Sequence, residues 1–205
     1  MEDAIDVENF SSSAVSRMHG NVILYTGWAG ITVEYGSFHA NLTIEDTYIA
    51  HCGTDLSRFP PNEHRSGAYE EGWKHGILLE DCSDVTVRGN TIIANRGSGI
   101  ELVNARGILL EKNTVTDNAM GVVLRNYEEG SLSRDFFPID PEEAGGSQAR
   151  AVDNVVSENQ GQDWYIEGGC ELVQTADPAG MEFRGLIWRT IDRYYHPGIY
   201  AEMYD

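Results

Sequence analysis

The chain has 205 residues, enough for one domain with a sizeable core, and its 33 acidic against 14 basic side chains leave a formal charge of −19. That balance excludes nucleic acid and anionic lipid surfaces as partners, since both would be repelled. No apolar run reaches the roughly 18 residues a membrane-spanning helix needs, and Cys52, Cys82 and Cys170 lack the Cys-x-x-Cys spacing of a zinc site or a disulfide framework.

From the N-terminus onward, one short phrase returns: Ala4-Ile5-Asp6-Val7-Glu8-Asn9, Gly30-Ile31-Thr32-Val33-Glu34-Tyr35, Gly76-Ile77-Leu78-Leu79-Glu80-Asp81, Gly99-Ile100-Glu101-Leu102-Val103-Asn104 and Gly121-Val122-Val123-Leu124-Arg125-Asn126. A looser copy is Asp163-Trp164-Tyr165-Ile166-Glu167-Gly168. A second phrase, Asn-x-aliphatic-x-x-Asn, keeps step with it at Asn90–Asn95, Asn113–Asn118 and Asn154–Asn159, with weaker copies at Asn21–Thr26 and Asp46–His51. Two phrases locked at a fixed period mean a solenoid. The clearest coils, Gly76–Ser98 and Gly99–Met120, are 23 and 22 residues long. Their apolar residues alternate (Ile77 and Leu79, Val85 and Val87, then Ile92), and the Ile/Val/Thr bias suits strands, with no helical stripe to compete. Three short strands and three bends per coil predict an all-β fold, a right-handed parallel β-helix of about five to six coils over residues 1–169.

Glycine at the start of the first strand predicts a positive φ or a close backbone approach. Asparagine at the next bend tolerates the left-handed region and can bond to neighbouring backbone, so it is expected to stack from coil to coil. Two residues later, Ile23, Tyr48, Ile92, Val115 and Val156 are expected to face inward. In the middle strand, Thr43 and Val152 sit one residue off the register set by Val85 and Val87.

Two insertions break the rhythm, at 52–75 and 127–149. The first precedes the Gly76 strand and the second follows the Gly121 strand, so the pair is expected to wall a groove over the first-strand sheet. Its floor stacks Thr32, Leu78, Glu101, Val123 and Tyr165 in one row, and Glu34, Glu80, Val103, Arg125 and Glu167 in the next. Adjacent Glu34 and Glu80 repel unless a cation, Arg125 or a retained proton compensates. The backbones of Glu80 and Glu101 are expected roughly 8 Å apart, a spacing that suits an acid/base pair working through water. Residues 170–205 are aromatic-rich (Phe183, Trp188, Tyr194, Tyr195, Tyr200, Tyr204) and are expected to cap the final coil.

The run from His75 to Asn126 resembles the parallel β-helix repeat of the pectate-lyase-like superfamily, over residues 4 to about 169. That superfamily includes polysaccharide lyases, mannuronan epimerases, glycoside hydrolases, tailspikes and periplasmic accessory proteins, so the resemblance implies fold more than chemistry. The chain lacks the paired-Asp strand motifs and Arg-Ile-Lys signature of polygalacturonases, and the Asp-Pro-His-Asp motif of mannuronan epimerases. Few Met, Cys or His clusters speak for the metal-insertion accessory proteins.

The expected function is therefore carbohydrate-active: an extended polysaccharide bound between the insertions, with Glu80, Glu101, Lys74, His75 and Arg125 as catalytic candidates. A lyase would draw on the cationic subset, a hydrolase on the carboxylates. Glu34, His64, Arg65, Tyr69 and Trp73 are the substrate-binding candidates. The alternative is a non-catalytic surface, assembly or binding module. No cofactor is expected, because the acids of 135–143 do not follow a calcium-loop spacing; Ca²⁺ is admitted but not indicated. Met1-Glu2-Asp3-Ala4 is acidic and enters the first repeat at once, unlike a signal peptide. The bare first coil is expected to be covered by a longer parent chain or by a second copy, with an extracellular or periplasmic location in a longer precursor.

Overall fold

The computed structural model describes residues 3–54, 74–126 and 145–175, which hold strands and no helix. Each coil lays down one strand per face. The first contains β1 (Ile5–Glu8), β2 (Ser16–His19) and β3 (Val22–Leu24); the second β4 (Ile31–Glu34), β5 (Leu42–Glu45) and β6 (Tyr48–Ala50); the third β7 (Ile77–Glu80), β8 (Val85–Arg88) and β9 (Thr91–Ile93). The fourth contains β10 (Ser98–Val103), β11 (Ile108–Glu111) and β12 (Thr114–Thr116); the fifth β13 (Met120–Arg125), β14 (Gln148–Val152) and β15 (Val155–Ser157); the sixth β16 (Trp164–Ile166) and β17 (Glu171–Thr175). Equivalent strands pair in parallel into three sheets: sheet A is β1-β4-β7-β10-β13-β16, sheet B runs β2-β5-β8-β11-β14-β17, and sheet C runs β3-β6-β9-β12-β15.

The core runs along the axis as stacked aliphatics. Ile31, Ile77, Ile100 and Val122 form one inward row of sheet A, and Val33, Leu79, Leu102 and Leu124 the next, all fully enclosed. Period two puts every second residue of these strands inside, and parallel pairing without slippage turns each position into a row. The glycine opening each sheet A strand is there for proximity. A Cβ on Gly76 would lie 2.4 Å from Ile92 Cγ2 and 2.6 Å from the Gly99 carbonyl oxygen of the next coil.

Three expectations need correction. In sheet C the inward row is Ile23, Ile49, Ile92, Val115 and Val156, so Tyr48 faces out and packs in a separate cluster with Ala50, Ile93 and Ala94. The weak Asp46–His51 phrase was thus one residue early: Thr47 and Cys52 occupy the Asn90 and Asn95 positions, donating their N–H groups to those side chains at 3.0 and 2.9 Å. The asparagine at these bends stacks from coil to coil as expected, but does not itself take the left-handed conformation. The preceding residue does, as at Lys112 (φ 54°), Ala94 (φ 56°) and Asp117 (φ 58°). Asparagine is needed for its amide instead: Asn90 Nδ2 donates to Asn113 Oδ1 (3.0 Å) and to the Ile44 carbonyl (2.9 Å), and Asn113 Nδ2 repeats this with Asn154 and Val87. A buried amide bonded on both sides satisfies the polar backbone of a bend that water cannot reach.

The last correction concerns boundaries. Gln148 and Ala149 already belong to β14, so the regular coil resumes before position 149. The coil also continues past 169, since β17 pairs with β14. Thr43 and Val152 are outward residues of sheet B; Leu42 and Ile44, and Ala149 and Ala151, keep the inward register. The capping role assigned to the aromatic tail falls on residues 176–205, outside the described residues.

Candidate functional site

The outward face of sheet A carries both expected rows, extended by a first coil whose acids sequence reasoning left out. Asp6 pairs with Thr32, Thr32 with Leu78, Leu78 with Glu101, Glu101 with Val123 and Val123 with Tyr165. The neighbouring row pairs Glu8 with Glu34, and Glu80 with Val103 and then Arg125. The first insertion leaves sheet C after β6 and returns at β7; the second leaves β13 and returns at β14. Their roots therefore flank sheet A on its two edges. His64, Arg65, Tyr69 and Trp73 lie outside the described residues.

In the fourth and fifth coils the face is compensated. Glu101, only 6% exposed, accepts from Arg125 Nε at 2.9 Å on one oxygen and from Ser98 Oγ at 2.7 Å on the other. Arg125 also lies over the Tyr165 ring, 5.6 Å from its centroid. Burial disfavours the Arg125 cation, but Glu101 and Glu167 more than offset this, and its pKa stands above the usual arginine value. His75 is enclosed and its Nδ1 accepts the Ser98 N–H at 2.9 Å, while Glu101 Oε2 lies 3.4 Å away. An Nδ1 that accepts a peptide N–H carries no proton, so the approach to Glu101 is a contact between acceptors and not an ion pair. His75 thereby positions the strand start that presents Ser98 and Glu101. Lys74, half-buried, accepts the Gly97 N–H through its carbonyl at 2.8 Å.

In the second and third coils no cation among the described residues pairs with the Glu34 or Glu80 carboxyl. Glu34 is pushed up to about 9 by burial first, then by Glu80, Asp6, Asp3 and Glu8. Glu80 is pushed up to about 8 by burial, with Asp81 and Glu101 adding repulsion. Burial also raises Tyr35, with Glu34 and Glu80 contributing. Glu80 thus keeps its proton at neutral pH, diagonally beside a Glu101 carboxylate that an arginine holds.

These coils make the chain a right-handed parallel β-helix repeat protein, and comparison with known proteins agrees. A family model described as a right handed beta helix region matches residues 61–137. A crystal structure of a point-substituted form of the periplasmic alginate epimerase AlgG is similar at 19% identity, covering 84% of this chain and 35% of that chain with a TM-score of 0.64. Unsubstituted AlgG gives 17% identity, 85% and 37% coverage and a TM-score of 0.59. The chain thus spans about a third of the AlgG structures it matches, and at this identity the likeness is one of fold. No curated protein matches the sequence significantly.

Proposed function

We propose that the protein acts on a polysaccharide laid along the outward face of sheet A, with Glu101, Arg125 and Glu80 at the reaction centre. The observation that carries this reading is the enclosed Glu101 carboxylate, clamped by Arg125 over Tyr165, on the one face that both insertion roots flank. Proteins of the same fold that act on alginate support the substrate class, and the periplasmic location of AlgG is in keeping with an extracellular or periplasmic site.

Hydrolysis fits better than elimination. An elimination needs a base at the sugar, and His75 is enclosed with its lone pair already committed to Ser98. The carboxyl pair needs only a proton on one member: Glu80 donates to the leaving oxygen, and Glu101 draws a proton from the attacking water. With backbones roughly 8 Å apart by strand spacing, the pair works through water when its carboxyls keep a comparable separation, as in an inverting hydrolase. Tyr165 and Arg125 would hold the sugar ring and its hydroxyls.

Incubation with alginate, pectin and neutral glycans, read by reducing ends and by the absorbance of unsaturated uronides, tests the proposal. New reducing ends without unsaturated product, lost in Glu101→Gln and in Glu80→Gln, are expected. The second reading, a non-catalytic binding module, draws on the fact that both Glu101 oxygens are already occupied by the chain's own donors. Glycan binding without product from any polymer would establish it.

A further inference from the structure

Where sheet A turns into sheet B, successive bends differ in length. Seven residues, 35–41, separate β4 from β5, whereas four suffice after β7 (81–84) and after β10 (104–107). The longer bend stands out from the rod, and a cavity of about 270 Å³ lies against it, lined by Phe38, His39, Ser83, Asp84, Arg106 and Gly107. That volume is the share of roughly nine liquid waters, which is room for one sugar ring with its hydroxyls.

The chain ties the walls of this cavity together. His39 donates its N–H to Ser83 Oγ at 2.8 Å, Ala40 donates to the Ser83 carbonyl at 3.1 Å, and Ser83 donates back to the Ser37 carbonyl at 3.2 Å. Asp84 Oδ2 accepts from Ser83 Oγ at 3.2 Å and lies 3.0 Å from His39 Nδ1. A carboxylate offers only lone pairs, so Nδ1 carries the ring proton and a neutral His39 keeps Nε2 as an acceptor. The other carboxylate oxygen, Oδ1, stands over Gly107, where an added Cβ would lie 2.9 Å from it. Arg106 is seated in the same way against the next coil: a Cβ on Gly145 would lie 2.8 Å from Nη2. Two glycines thus make room for a carboxylate and a guanidinium set around one aromatic ring.

We propose that this cavity binds a single neutral sugar residue, at a site distinct from the reaction centre on the sheet A face. A pyranose has an apolar C–H face, which suits Phe38, and a rim of hydroxyls that each donate and accept. Asp84 Oδ1 accepts from one hydroxyl while Arg106 donates to its neighbour, and charge-assisted bonds of this kind are roughly twice as strong as neutral ones. An apolar wall with a few fixed polar groups is how proteins orient small ligands. Asp84 and the −19 charge of the chain disfavour an acidic sugar or a phosphate there. The inference does not rest on hydrolysis, since it needs neither Glu80 nor Glu101.

Titration of isotope-labelled protein with glucose, galactose and mannose, followed through its amide resonances, tests it. At least one of these sugars should shift the amides of 38–39, 83–84 and 106–107, saturating with a Kd on the order of 1–10 mM. Asp84→Asn and Phe38→Ala should each weaken binding about tenfold, and unchanged resonances away from the bends would show that both keep the fold. Glu101→Gln should bind the sugar equally while losing the cleavage proposed above, which separates the two sites. No shift up to about 100 mM sugar, shifts produced by inorganic phosphate instead, or equal binding by Asp84→Asn overturns the proposal.

Discussion

Glu34 and Glu101 stand on the same sheet and are almost equally enclosed, 7% and 6% exposed, yet they live in opposite electrostatic worlds. Glu101 has Arg125 on one oxygen and Ser98 on the other. Glu34 meets Glu80, Asp6, Asp3 and Glu8, and its pKa climbs to about 9. Burial alone therefore does not decide what a carboxyl on this face can do; the residue one or two coils away does. Because a β-helix stacks equivalent positions at strand spacing, one arginine rather than glutamate in a repeat phrase converts a repulsive row into a compensated one.

The comparison can be broken at its strongest point first. If Glu101 is the base, Glu101→Gln should reduce turnover by about 10²–10⁴-fold, measured as release of reducing ends, while circular dichroism stays unchanged. Arg125→Met comes next. It strands an enclosed carboxylate, and with Arg125 itself about a third exposed the cost should be about 2–3 kcal/mol in urea unfolding. Equal stability of Arg125→Met and the parent would show that Ser98 suffices.

On the acidic side the expected sign is the reverse. The folded chain keeps the Glu34 proton up to about pH 9, while the unfolded chain releases it near 4.5. The folded state binds the extra proton between those values, so stability should fall as pH rises through that window and level off above it. Glu80 adds the same trend between 4.5 and about 8. Glu34→Gln should therefore raise stability on the order of 2 kcal/mol at pH 8, seen as a flatter plot of melting temperature against pH. A parent whose melting temperature is level from pH 5 to 9 would contradict this. An effect of comparable size is expected away from the face: Asn118→Ala removes one amide from the ladder and should cost about 1–3 kcal/mol, in denaturant unfolding.

Much of this architecture was legible along the chain. The repeat phrase and its alternation dictate which residues of sheet A face in and which face out, since a parallel strand admits only two side-chain directions and a register slip would bury charge. The rows from Thr32 to Tyr165 and from Glu80 to Arg125 follow from that, with Glu34 at the head of the second. Where a phrase degenerates, the alternation loses its anchor: Tyr48 read as inward because Asp46 looked like the ladder residue, while Thr47 held that place.

Contacts through space were settled by the tertiary structure. Arg125 reaches diagonally to Glu101 instead of to Glu80, His75 turns inward to Ser98, and Asp6 and Glu8 join Glu34 because the first coil stacks in full register. The reason is physical. Periodicity determines which face a side chain occupies, but hydrogen-bond geometry and desolvation, which depend on neighbours a whole coil away, determine its partner and its proton.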